Sequence, residues 1–310
     1  MSIIVFGSIN IDLVATSERL PMAGETLLGH NFFQVPGGKG ANQAVALALL
    51  GIPTQIVGRV GADSFGVELV NNLQASGVQT NSVLVDETVS SGVATIAVDD
   101  AGENQIIVIP GANGRVNLED VERLSYLLPK ATALLLQFEI PMSAVLAAAK
   151  AAREMGVTVI LDPAPAPENV PEELYSLVDI ITPNEVEIRQ LVGFAVDEEV
   201  SVAKAAAVLR ERGVKYAIIK LGAKGVFCVT PEETFFVPAF PVQTVDTTAA
   251  GDAFNGALAA GLFEKLSLHQ AVIWGAAAGA IAATKPGAQP SLPNRATFDA
   301  FLKKRGVGSC

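Results

Sequence analysis

Short, unbroken apolar runs alternate along this chain with longer, alanine-rich stretches. The runs "IIVFG", "TQIVGRVG", "ALLLQFE", "VTVILDPAP", "VDIITPN" and "YAIIKLG" lack the polar alternation of a strand with one wet face. Continuous hydrophobicity is what a strand needs when helices cover both of its sides. Between the runs lie "ANQAVALALLG", "SAVLAAAKAAREMG" and "SVAKAAAVLRERG", helical in pattern and ending in a glycine that can stop a helix. The alternation predicts an α/β three-layer sandwich around a central, mostly parallel sheet. Composition agrees: half of the 310 residues are hydrophobic, drawn mainly from Ala, Val, Leu and Ile, with 6% aromatics.

Two stretches break the rhythm. Residues 11–36 mix polar and apolar residues around turns, and residues 91–109 read as two short strands about Asp100-Ala101-Gly102. Neither suits a helical crossover, so both are expected in a small separate sheet, either a lid over the main body or plain surface hairpins. No long linker or internal repeat divides the chain, which is expected to form one domain over residues 1–310.

A net charge of −11, from 21 basic and 32 acidic residues, argues against nucleic acid or an anionic membrane as partner. The cysteines, Cys228 and Cys310, offer neither a disulfide framework nor zinc spacing, and a reducing cytoplasm is the expected location. The opening "MSIIVFGSIN" has no basic region and no long apolar run, so no signal peptide is expected, and no uncharged apolar run of about 18 residues or more would span a bilayer.

In "DTTAAGDAFNGAL", residues 246–258, Phe254, Leu258 and Leu262 recur every four positions and start a helix near Ala250. Ala249, Ala250 and Gly251 leave the first backbone N–H groups uncovered, where a phosphate can approach. Asp252 then sits in the first turn, either as a favourable charge at a helix start or as a general base for a hydroxyl attacking a γ-phosphate. In "PGGKGANQA" the glycines permit close backbone approach, and Lys39 and Asn42 suit a polyol; a plain turn into a buried helix is the alternative. The spacing is not that of a P-loop. Asn10 and Asp12, two apart on an extended segment, face the same way and could hold vicinal hydroxyls. Glu139 ends an apolar strand, either binding a hydroxyl or solvated. Asn184 and Glu187 stand three apart at a helix start, a capping arrangement that could also order water around magnesium. "KLGAKG", residues 220–225, is a turn between two strands or a loop over nucleotide phosphates. His30 and His269 lack metal-like or triad-like company and read as surface residues.

The ordered series GSINID, GGKGANQA, QFE, TPNE, KLGAKG, DTTAAGD and KPGAQPSLP resembles the ribokinase branch of the PfkB carbohydrate kinases over nearly the whole chain. The resemblance implies a ribokinase-like sandwich with a small β lid and ATP-dependent phosphorylation of D-ribose at O5. It places Asn10, Asp12, Gly38, Lys39, Asn42 and Glu139 on the sugar. Asp252 becomes the catalytic base and Ala249, Ala250 and Gly251 the anion hole. Asn184, Lys220, Gly222, Ala223 and Gly225 contact nucleotide, with Glu187 near Mg²⁺. Asp246, Thr248, Ala282, Lys285, Gly287 and Ser291 match a K⁺ site, and the lid implies a homodimer. Ala276 stands where relatives often carry Asn or His near the adenine. A kinase for deoxyribose, fructose or a nucleoside remains a rival expectation, as does a sugar-binding protein without catalysis.

Overall fold

Ile3 and Val5 belong to one hydrophobic core and Ile4 and Phe6 to another, so the first strand is buried on both faces. That is the structural meaning of its continuous hydrophobicity: each alternate side chain meets a different layer of helices. The computed structural model describes residues 1–307; Cys310 lies outside the described residues.

The strands are β1 (Ser2–Phe6), β2 (Asn10–Ser17), β3 (Asn31–Gly37), β4 (Thr54–Gly61), β5 (Gln79–Asp86), β6 (Gly92–Asp99), β7 (Asn104–Ile109), β8 (Ala131–Leu136), β9 (Thr158–Leu161), β10 (Ile180–Ile181), β11 (Tyr216–Lys220), β12 (Gly225–Val229) and β13 (Thr234–Pro238). The helices are α1 (Lys39–Leu49), α2 (Ser64–Ala75), α3 (Leu118–Ser125), α4 (Met142–Glu154), α5 (Glu172–Leu177), α6 (Glu185–Val192), α7 (Glu199–Glu211), α8 (Ala250–Phe263), α9 (Leu268–Ala282) and α10 (Arg295–Lys304).

Among the described residues the large sheet has nine strands, in the order β13-β12-β11-β10-β9-β8-β1-β4-β5. It is parallel from β11 to β5, and β12 and β13 add an antiparallel edge. Helices α1, α2, α8, α9 and α10 pack on one face, and α3 to α7 on the other. The expected three-layer α/β architecture is therefore the one observed.

After β1 the strand order grows in one direction through β4 and β5, and in the other through β8 and β9. Such a switch point opens a crevice beyond the carboxyl ends of the strands. Next to it lies the second sheet, β3-β2-β6-β7, built from the two stretches that broke the helical rhythm. Here β2 and β6 are parallel, and the outer pairs are antiparallel. Asn113 fixes its root: Oδ1 accepts from the Ile9 N–H at 2.9 Å, and Nδ2 donates to the Ile9 carbonyl at 3.1 Å and to Asn10 Oδ1 at 2.6 Å. Cys228 is buried and free, and burial pushes its thiol pKa well up, so it behaves as a small apolar core residue.

Candidate active site

The site forms where the first turns of α1 and α8 converge over the crevice. The two helices can approach closely because position 256 is glycine: a Cβ there would stand 2.6 Å from Ala46 Cβ. Entry into α1 depends on Gly38, whose φ of +87° favours glycine and whose added Cβ would lie 2.8 Å from the Asn10 backbone nitrogen.

Asp252 is 4% exposed in the first turn of α8. Its Oδ2 accepts from Asn42 Nδ2 at 2.9 Å and its Oδ1 from Gln43 Nε2 at 3.1 Å. Burial pushes its pKa up to about 7; Asp162 adds to the rise, while Lys39, Asn42 and Gln43 oppose it. The carboxyl thus stands near the proton affinity a general base needs at neutral pH. Asn42 Oδ1 is buried with no hydrogen-bond partner among the described residues, leaving an acceptor beside this acid. The helix start itself has Ala249 at the cap and no side-chain cap, so backbone donors of its first turn lack a side-chain partner.

On the sugar side of the expectation, Asn10 is buried and Asp12 follows on β2. Burial, then the charge of Glu139, pushes the Asp12 pKa up to about 6. Glu139 is not simply solvated: its Oε2 accepts from Ser8 Oγ at 2.5 Å and from the Lys39 N–H at 2.9 Å, capping the start of α1. Burial disfavours charge on Lys39, yet Asp252, Asp162, Glu139 and Glu187 surround it and raise its pKa.

Where nucleotide contacts are expected, Asn184 and Glu187 form a complete capping box at α6. Asn184 Oδ1 accepts from the Val186 and Glu187 N–H groups, and Glu187 Oε2 accepts from the Asn184 N–H at 2.8 Å. Asn184 also pairs with Lys220 in an isolated parallel bridge, which continues the β10–β11 register to the site. Burial raises the Glu187 pKa, against the pull of Lys220. Gly222, Ala223 and Gly225 form the turn between β11 and β12, while Ala276 is half-buried on α9 against the core. His30 and His269 are both exposed.

The structure adds three residues to which no role was assigned from sequence, although Gln43 lies within GGKGANQA and Gln137 opens QFE. Asp162, just beyond β9, accepts from Gln43 Nε2 at 3.0 Å and from Lys220 Nζ at 3.0 Å. Gln137 Nε2 donates to Gln43 Oε1 at 2.7 Å from the end of β8. Position after a strand end was the signal for Asp162 and Gln137, and membership of GGKGANQA the signal for Gln43.

The residues expected around a cation come together in part. Asp246 Oδ1 accepts from Thr248 N and Oγ1 at 2.9 and 2.5 Å, and Oδ2 from the Gly287 N–H at 2.8 Å. These bonds hold its pKa below the usual carboxylate range, although burial works against them. The Ala282 carbonyl accepts from Lys285 N at 3.1 Å, and Ser291 bonds within its own turn to Ala288.

The pfkB family carbohydrate kinase model matches residues 1–295. A ribokinase from Haemophilus influenzae is 42% identical over 299 residues, covering 96% of this chain and 97% of that protein. A ribokinase from Thermotoga maritima superposes with a TM-score of 0.90 at 41% identity, covering 97% of this chain and 99% of the other. An Arabidopsis thaliana ribokinase in complex with ribose and ATP gives a TM-score of 0.90 at 35% identity, with 97% and 98% coverage. With the family pattern matched from the first strand to the start of the last helix, and relatives aligned nearly end to end, this chain belongs to the pfkB family of carbohydrate kinases.

Proposed function

We propose that this protein phosphorylates D-ribose at O5 with ATP, giving D-ribose 5-phosphate and ADP. The observation that supports it best is Asp252: a buried acid at an uncapped helix start, beside the open acceptor of Asn42. Relatives of high identity are ribokinases, and one is known with ribose and ATP bound.

In this reading Asn10, Asp12, Lys39, Asn42 and Glu139, with the Gly38 backbone, hold the sugar hydroxyls. Asp252 takes the O5 proton as O5 attacks the γ-phosphorus. The N–H groups of Ala249, Ala250 and Gly251 receive the charge developing on the phosphoryl oxygens. Asn184 and the turn from Lys220 to Gly225 hold the nucleotide, with Ala276 near its base. The small sheet acts as a lid that excludes water.

Magnesium fits the donor set. Mg²⁺ prefers one or two carboxylates plus water and phosphate oxygens, and Glu187, held by Asn184 through both of its oxygens, offers one such carboxylate. Glu187 would take that place; bound Mg²⁺ would neutralise charge on the phosphates. Potassium fits oxygen donors of the 246–248 and 282–291 segments, which Asp246 already ties together. We further infer a single domain, a homodimer and a cytoplasmic location. Exposed Phe32, Phe33, Ile106 and Ile107 on the small sheet support a covered face. No helix among the described residues is long and apolar enough to cross a membrane.

A coupled ADP-release assay across a panel of pentoses, hexoses and nucleosides tests the assignment. Ribose should be the preferred substrate; ribose as the poorest of the panel would reject it.

A further inference from the structure

Asn113 is 1% exposed in the 3₁₀ turn Gly111–Arg115, where the chain leaves the small sheet after β7. Its amide cannot be turned over. Oδ1 must accept from the Ile9 N–H at 2.9 Å, because that group only donates. Nδ2 must donate to the Ile9 carbonyl at 3.1 Å, because that group only accepts. The second N–H of Asn113 is thereby aimed at Asn10, 2.6 Å away, and the atom it meets has to be the Asn10 oxygen. The backbone of residue 9 dictates the orientation of one amide, and that amide dictates the next. With its oxygen turned to Asn113, the planar Asn10 amide carries its Nδ2–H groups the other way, where no protein acceptor takes them among the described residues. Asn10 is only 5% exposed, so these donors stand in a nearly closed space beside the crevice.

The residue at 92 is matched to this bond. Gly92 faces Asn10 in the β2–β6 pairing, and a Cβ there would stand 2.2 Å from both Asn10 Oδ1 and Asn113 Nδ2. Any side chain at that position would push into the bond. The turn that carries Asn113 is held in place by the Ala112 N–H, which donates to the Ser90 carbonyl at 2.8 Å, just before β6. Two bonds to Ile9 are enough to tie the root of the small sheet; the third acts on Asn10 alone. Two residues on, Asp12 shares the strand face of Asn10. An ionised carboxylate only accepts hydrogen bonds. A pair of hydroxyls that gives its protons to Asp12 needs a donor for its oxygens, and the locked Asn10 amide supplies one.

We propose that Asn113 is a positioning residue of the sugar site, holding Asn10 in the one amide orientation that donates to a sugar hydroxyl. The inference rests on the reading that sugar hydroxyls lie at Asn10 and Asp12. Asn113 itself does not touch the sugar. Its contribution is preorganisation: the donor is aimed before the sugar arrives, so binding does not have to order it. A freed Asn10 amide would also present its oxygen, and two acceptors would then face the same pair of hydroxyls. Asn113 therefore sets which hydroxyl pattern the site accepts, from the far side of the residue that makes the contact.

The test is calorimetry with ribose, 2-deoxyribose and 3-deoxyribose on the full chain, comparing wild type with Asn113→Asp and Gly92→Ala. Asn113→Asp keeps the shape, but its second oxygen only accepts, so Asn10 turns its Nδ2 inward and its oxygen to the sugar. Gly92→Ala pushes the two amides apart from the neighbouring strand. Both should weaken ribose by about 10–100-fold, the range for a buried polar group left unpaired. KM for ribose should rise in step, with KM for ATP unchanged. For the deoxyribose that lacks the hydroxyl at Asn10, the same substitutions should change affinity by less than about twofold, since the coupled partner is already gone. Equal losses for all three sugars would show a structural role alone and overturn the proposal, as would unchanged ribose affinity in both variants. In wild type with isotope-labelled asparagine, the Asn10 side-chain N–H signals should shift when ribose binds, and those of Asn113 should move much less. A still Asn10 signal at saturating ribose overturns the proposal whether or not either variant folds. A wild type that prefers another sugar, with the Asn113→Asp loss still confined to sugars carrying that hydroxyl, rejects the ribose reading and supports the role of Asn113.

Discussion

Asn42 Nδ2 donates to Asp252 Oδ2 across 2.9 Å, although 210 positions of chain separate the two residues. This bond joins the first turns of α1 and α8 into one site. It also explains why a buried carboxylate is tolerable there: each of its oxygens has an amide donor, the other from Gln43. The expected outcomes below follow from that arrangement.

Asp252→Asn removes the proposed proton acceptor while keeping its shape. Turnover should fall about 10²–10⁴-fold, the usual contribution of a general base, with ribose affinity by calorimetry much less affected. Full turnover in this variant would refute the base assignment.

Acidity enters through the same group. The Asp252 pKa is about 7, against 3.8 unperturbed, chiefly because of burial. A base must be ionised, so kcat/KM should rise with pH through about 7 and level off above it. The stability effect has the opposite sense. Between 3.8 and about 7 the folded state binds more protons at this site than the unfolded chain does. Its contribution to stability therefore declines as pH rises across that window. Chemical denaturation of wild type and Asp252→Asn at several pH values should show this slope flattened in the variant.

Gln43→Leu takes one donor from Asp252 and one from Asp162, and leaves Gln137 Nε2 without its acceptor. Unsatisfied buried polar groups cost about 1–3 kcal/mol each, so urea denaturation should show a loss of at least that order. Without the Gln43 donor the acid limb of kcat/KM should move to higher pH. An unmoved limb with normal stability would show the bridge to be idle.

Gly256→Val tests the close approach of the two helices. The added Cβ would meet Ala46 Cβ at 2.6 Å. Overpacking of this kind costs about 1–3 kcal/mol, and it should also reduce turnover by separating Asn42 and Gln43 from Asp252. Thermal denaturation together with the ADP-release assay reads both effects.

Potassium should raise the rate well above that in sodium or Tris. Asp246→Ala, which frees Thr248 and Gly287 from their shared partner, should weaken that dependence. Equal wild-type rates in all three buffers would remove the cation from the proposed function.

Local sequence alone determined the strand and helix alternation, the start of α8 at Ala250, the turn between β6 and β7, and the cap of α6. Each is set by neighbouring residues: apolar period, turn chemistry, or a side chain three positions away. The edge strand β5, with its polar residues, and the two-residue β10 were less legible, because pairing with neighbours rather than intrinsic pattern defines them. Only the tertiary structure decided that Gln43 bridges Asp252 and Asp162, that Glu139 caps α1, and that the Lys220 side chain turns toward Gly251. Those contacts link residues on separate elements, mostly beyond the carboxyl ends of strands and at the starts of helices. Their geometry exists once the sheet order and the packing of α1 on α8 are in place, and no periodicity along the chain encodes it.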